Sequence, residues 1–356
     1  MKPTKSNHIV LTLALLTCLS TLNPQLSTVF AQGSLTPPGA PAPTMKTLDQ
    51  IEPRTIVNAA NTPGDSGNSF IITNAGSYYL TTNLVGVSSK NGIKIAANNV
   101  ALDLNGFALL GVSGSLSAVD IPGAQTNVTV QNGAISGWGL VGVYVESALS
   151  RNMVFERLNI SANFGGISSG GAGVVRDCVC LSNLVSGIDS SGGIVSGCTA
   201  DFNGSFGINV TTGTIVSGCS VRNNGGFGIY VTGGKVSGCL VSGNVQSGIY
   251  VYGSGTAVVG NTCLNNNTSI SSSHAGICII NKNNRVEDNL VTGSGYAGIQ
   301  VINSSSYSNN IIVKNTVIGS SVTNYSIPAG QIVGPLITNT VSGVITNSNP
   351  WANFSF

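Results

Sequence analysis

Between Gly187 and Ser247 the apolar positions fall into short alternating runs that recur every 20 or 21 residues. One run has the form Gly-Ile-x-Val, with Ile208 and Val210, Ile229 and Val231, and Ile249 and Val251 as its apolar pairs. The other has the form Val-x-x-Cys-x-Val, as in Val216, Cys219 and Val221, then Val236, Cys239 and Val241. Alternation at period two describes a strand with one buried face. Gly and Asn fill the intervals, at 222–226 and 242–244, and both tolerate the positive φ of tight turns. Twenty residues holding two or three strands leave no room for a helix. One such unit cannot cover its own apolar face, whereas a stack of units buries a continuous core.

Matching tetrads start at Gly92, Ala118, Gly142, Gly166, Gly187, Gly207, Gly228, Gly248, Gly276 and Gly298, two of them degenerate (GISS and GIDS). About ten coils at ~4.8 Å per hydrogen-bonded strand give a rod of roughly 45 Å. Parallel neighbours joined in sequence require right-handed connections. The expected fold is therefore all-β, a right-handed parallel β-helix over 92–327. An N-terminal cap is expected over 45–91, with a short helix near Thr47–Ile51 and with Ile71, Tyr78, Tyr79 and Leu80 covering the first coil. A C-terminal cap is expected over 328–356, with Trp351, Phe354 and Phe356 folded over the last coil. Open ends would otherwise expose strand edges.

The tetrads, the V-x-x-C/N-x-V rungs, and the phrases GSYYLTTNL (76–84) and NNVALDLNGFAL (98–109) resemble secreted bacterial right-handed parallel β-helix repeat proteins of the pectin-lyase-like superfamily. The likeness covers roughly residues 70–345. It implies the fold strongly and the activity weakly, since the superfamily holds lyases, glycosidases, epimerases and members without known activity.

Composition narrows the class. Of 356 residues, 47 are Gly, 42% are hydrophobic and 7% are charged. Periodic apolar positions exclude a disordered chain, and the sparse charge excludes the basic stripe that nucleic acid demands. The N-terminus reads as a secretory signal over 1–31: Lys2 and Lys5, the apolar run Ile9–Leu19, and Val29-Phe30-Ala31 before the cleavage point. That run is too short to span a membrane. A Pro-rich linker follows at 32–44. With Lys2 and Lys5 removed, 12 basic residues face 12 acidic ones, so electrostatic steering is not the mode of action.

Cys178, Cys198, Cys219 and Cys239 occupy one position of successive coils, a column continued by Thr262, Asn289 and Asn315. Side chains of one column point inward in parallel, which suits neither disulfide geometry nor the convergence a metal requires. A buried ladder of free thiols is expected, with Cys180 also inward. Cys278 falls on an outward position and is the thiol expected to react. No cofactor or metal site is expected.

The x of each tetrad points outward. Read along the rod, this column is Lys94, Asp120, Tyr144, Ser168, Asp189, Asn209, Tyr230, Tyr250, Cys278 and Gln300. Lys94, Asp120, Tyr144, Asp189, Asn209, Tyr230 and Tyr250 form the candidate ligand-binding strip. Rings can stack on sugar faces while amides and carboxylates bond hydroxyls. The same residues also suit an ordinary solvated sheet face. A glycosidase needs carboxylates ~5–10 Å apart, and Asp120 and Asp189 are three coils apart, roughly 14 Å. Lys94, Asp120 and Tyr144 on consecutive coils could serve a lyase or epimerase, or be plain surface. His274 lies near Tyr250 and Cys278 in the longest coil, most simply as a turn residue. Asp201 and Arg222 should pair. No catalytic set is assignable. The reading is an exported β-helix acting as a structural or carbohydrate-binding module, its partner a polysaccharide or cell-surface glycan. The alternative is a uronate polysaccharide lyase or epimerase-like enzyme.

Overall fold

The computed structural model describes residues 54–211, 213–338 and 347–356. The expected signal segment, linker and short helix near Thr47–Ile51 lie outside these residues. Among the described residues every regular element is a strand, and every strand pairing is parallel. Twelve strands, from Asn68–Ile72 to Thr323–Ser326, stack into one sheet. Twenty-four others form the remaining walls, joined where the 11-residue strands Thr126–Ser136 and Arg151–Ser161 run through a corner unbroken. The chain therefore winds as a right-handed parallel β-helix.

The solenoid has twelve turns rather than about ten, a length of roughly 53 Å. The extra strands lie at its ends, with sequences NSFII and TNYS. Ile71 pairs with Lys94, and Tyr78 and Tyr79 pair with Leu102 and Asp103. These residues thus form a first coil, where a cap was expected. At the other end Asn353–Ser355 adds to the last full rung, with Phe354 opposite Thr316, and the Phe354 and Phe356 rings stack at 6.2 Å. Trp351 is half-exposed, beneath the Lys314 ammonium.

The core is the stacked inward columns. Ile93, Val119, Val143, Ile188, Ile208, Ile229, Ile249, Ile277 and Ile299 are fully buried. The glycine before each isoleucine allows close approach: a Cβ on Gly207 would lie 2.4 Å from Val221 Cγ1, 2.7 Å from Asn224 Nδ2 and 2.8 Å from the Gly228 carbonyl. No larger residue fits without moving the backbone.

Two polar ladders run through this core. In one, Asn163, Asn183, Asn203, Asn224, Asn244 and Asn266 succeed one another. The Asn203 backbone N–H and Nδ2 both donate to Asn224 Oδ1, at 2.9 and 3.0 Å, and Asn203 Nδ2 also donates to the Cys180 carbonyl at 3.1 Å. These amides satisfy backbone groups at a corner where the strand ladder breaks. The other ladder begins as the thiol column. Cys178, Cys198, Cys219 and Cys239 are buried and free, their S–H groups donating to carbonyls two residues back at 3.3–3.4 Å. The column continues through Asn261, Asn289, Asn315 and Asn353. Thr262 is not part of it. Thr262 pairs with Leu240, one residue further along the strand.

Several charged side chains on the 24-stranded sheet pair with one another. Glu156 pairs with Arg157 and Arg176, Asp201 with Arg222 at 2.8 Å, and Glu287 with Arg285 at 2.5 Å and Lys314 at 2.9 Å.

Candidate functional site

The 12-stranded sheet carries the outward column in unbroken register. Lys94 is opposite Asp120, then Tyr144, Ser168, Asp189, Asn209, Tyr230, Tyr250, Cys278 and Gln300, each the Cα partner of the last. The strip resolves into three parts with different surroundings.

At the N-terminal end stand Lys94, Asp120 and Tyr144. Burial raises the Asp120 carboxyl above its usual range, opposed by Lys94 and reinforced by Glu146. In the middle, Asn209 Nδ2 donates to Asp189 Oδ1 at 2.8 Å. Burial raises the Asp189 carboxyl too, opposed by hydrogen bonds from Asn209 and Ser186. Asp120 and Asp189 are separated by Tyr144 and Ser168, three strand steps or roughly 14 Å, too far to flank one glycosidic bond.

The third part is aromatic. Tyr230 and Tyr250 stack across one rung with ring centroids 5.6 Å apart and planes at 22°. Tyr252 stacks on Tyr230 at 5.6 Å, and Phe227 lies 4.3 Å from Tyr250. Phe206 contacts Phe227 at 5.8 Å and Tyr230 edge-on at 5.5 Å. His274 meets Phe227 edge-on at 5.3 Å, and burial lowers its pKa, disfavouring the imidazolium. Six rings thus form one patch over four coils. The sequence pattern found Tyr230 and Tyr250 and missed Phe206, Phe227 and Tyr252. The signal was present: Phe206 and Phe227 occupy the same position, directly before the tetrad glycine, and Tyr252 is the next outward residue after Tyr250.

Beyond the patch the strip is covered. The 28-residue coil from Gly248 carries a loop over residues 267–274, fastened by Asn267. Its Oδ1 accepts from the Ser271 N–H at 3.0 Å, and its Nδ2 donates to the Ser271 and His274 carbonyls at 2.8 and 2.9 Å. Gln300 Nε2 donates to the Ser272 carbonyl at 2.9 Å. Cys278, expected to be the reactive thiol, is fully buried beneath this loop among Ala275, Ala297 and Tyr250. Burial pushes its thiol up to about 12, against a hydrogen bond with Ser247. An outward direction was read correctly, and the loop laid over it was not foreseen. His274 and Cys278 therefore form no nucleophile pair, which would need a thiolate.

The right-handed β-helix region family model matches residues 61–235 and 188–318. The chain belongs to this family. No curated protein matches it. Among solved structures, a variant of the periplasmic alginate epimerase AlgG is 14% identical, with 85% of this chain and 82% of that one covered and a TM-score of 0.52. AlgG itself is 14% identical, with 78% and 72% covered and a TM-score of 0.50. The A-module of the Azotobacter vinelandii mannuronan C-5 epimerase AlgE6 is 18% identical, with 73% and 91% covered and a TM-score of 0.48. At these identities the likeness is one of fold within the family.

Proposed function

We propose that this β-helix protein is exported and acts on a polysaccharide laid along the outward face of its 12-stranded sheet. One observation carries the reading: the six-ring patch runs directly into the Asn209–Asp189 pair, so stacking surface and hydroxyl-bonding groups share one line. The secretory N-terminal pattern and the fold shared with an alginate epimerase support it. In this enzymatic reading the Asp189 carboxylate, whose proton affinity burial raises, is the group suited to accept a proton near the aromatic platform.

A second reading, glycan binding without turnover, is favoured by the separation of Asp120 from Asp189. The two readings divide on one experiment. The protein is incubated with a panel of soluble polysaccharides, and chain length, reducing ends, unsaturated products and exchange of ring protons into D2O are followed. Any of these changes carries the enzymatic reading. Binding without change carries the second. Absence of binding to every polymer overturns both.

A further inference from the structure

The charge of this face bears on which polysaccharides it can take. Within the strands of the 12-stranded sheet Lys94 is the one basic residue among the described residues. It stands six strand steps from Tyr230, roughly 29 Å, several times the ~8 Å Debye length at physiological salt. Asp120 and Asp189 lie on other strands of this sheet, and Glu146 directly follows its strand Val141–Val145. Five other cations, Arg157, Arg176, Arg222, Arg285 and Lys314, are paired with carboxylates on the other sheet. Exposed Lys282 sits in the turn after Ala275–Ile279 at the margin of the patch, next to Asn281, whose Nδ2 donates to the Tyr252 carbonyl at 3.0 Å. Burial disfavours the charged form of His274, the one imidazole on the patch.

We infer that the ligand of this face is an uncharged pyranose polysaccharide, docked by its sugar faces on Phe227, Tyr230, Tyr250 and Tyr252, and that polyuronates are disfavoured. The inference rests on the polysaccharide reading above and narrows it. A polyuronate would bring one carboxylate per sugar to a patch whose one nearby unpaired cation among the described residues is Lys282 at its margin, and most of those carboxylates would lose water without compensation. Asp189 at the edge of the patch adds repulsion, which is greatest at low ionic strength. At 14% identity the likeness to the periplasmic alginate epimerase is one of fold and does not carry its ligand over to this face.

The test is affinity electrophoresis and calorimetry with the intact protein at low and physiological salt. The probes are soluble β-glucan and galactomannan as neutral polymers, with alginate and polygalacturonate as anionic ones. The expected result is binding of at least one neutral polymer, at least tenfold tighter than either polyuronate, the gap widening at low salt. Tyr252→Ser should weaken the neutral binding. Equal or tighter binding of a polyuronate overturns the inference and leaves the polysaccharide reading standing. No binding to any of the four, nor to a wider neutral panel, overturns both.

Discussion

Tyr250 and Cys278 are Cα partners on adjacent coils and point the same way, yet the tyrosine is half-open and the thiol is fully buried. The loop over 267–274 begins its cover between them. It ends the open strip at Tyr250 and converts the next rung into a small outer core with Ala275 and Ala297.

This cover predicts the chemistry of Cys278. A buried thiol pushed up to about 12 holds almost no thiolate at pH 7–8. In the native protein Cys278 should resist alkylation by iodoacetamide, and shortening the loop across 268–273 should make it react. Rapid labelling of Cys278 in the intact native protein would refute the covered arrangement.

The thiol column makes a separate claim about stability. The Cys178 thiol raises the Cys198 thiol to about 12, opposed by Cys219 and aided by burial. The four buried free thiols behave as small hydrophobes. Cys219→Ala should cost ~1–2 kcal/mol through the cavity it leaves, and Cys219→Ser at least as much. Non-reducing mass spectrometry should find Cys198, Cys219 and Cys239 free. A disulfide between any two contradicts the stack.

The asparagine ladder should matter more than the thiols. Asn203→Ala leaves Asn183 without its acceptor and the Cys180 carbonyl without a donor, all within a buried corner. Each stranded buried group costs ~1–3 kcal/mol, so the variant should lose at least about 2 kcal/mol in denaturant unfolding. A loss below about 0.5 kcal/mol would mean the ladder is ornamental.

These two ladders mark how far the pattern of residues reached. The 20-residue period fixed the solenoid, and alternation placed Lys94 through Gln300 on one outward line, because both follow from strand geometry alone. NSFII and TNYS lack the Gly-Ile-x-Val signature, so the end coils were missed. Thr262 lies one residue past the column, because the rung Val258-Val259-Gly260-Asn261 sets the register. Asn203 and Asn224 look like turn formers in sequence, and only stacking reveals that their amides bond between coils. What lies over Cys278 depends on the path of a loop, which periodicity does not encode.

Asp189 carries a pH prediction. Its folded carboxyl is raised by burial, so the folded state binds the proton more tightly than the unfolded chain. Stability from this group therefore falls as pH rises from the ordinary carboxylate range, ~4, through the raised folded value. Asp189→Asn keeps an acceptor for Asn209 and removes the buried charge. The variant should melt higher than wild type at pH 7, with the difference closing below about pH 4. A variant less stable than wild type at pH 7 would show that the carboxylate is well compensated.

The aromatic patch gives the last prediction, and the structure separates two tyrosines that looked equivalent. Tyr250 packs against Phe227 at 4.3 Å and borders Ala275 and Cys278, and burial pushes its hydroxyl up to about 12. Tyr252 is 50% exposed and touches the patch through Tyr230 alone among the ring contacts of the described residues. Tyr250→Ser should therefore cost ~1–3 kcal/mol of stability, whereas Tyr252→Ser should stay within ~0.5 kcal/mol. For a polysaccharide that stacks here, each lost ring should remove ~0.5–1.5 kcal/mol of binding, roughly two- to tenfold in affinity. Tyr252→Ser is the cleaner probe, because its effect on binding is free of an effect on folding. Thermal melting together with affinity electrophoresis in neutral-polymer gels reads both. A Tyr252 variant that melts like wild type and migrates like wild type in every polymer that retards the parent would remove Tyr252 from the binding surface. An equally small melting shift for Tyr250→Ser would show that the outer rings do not brace the sheet.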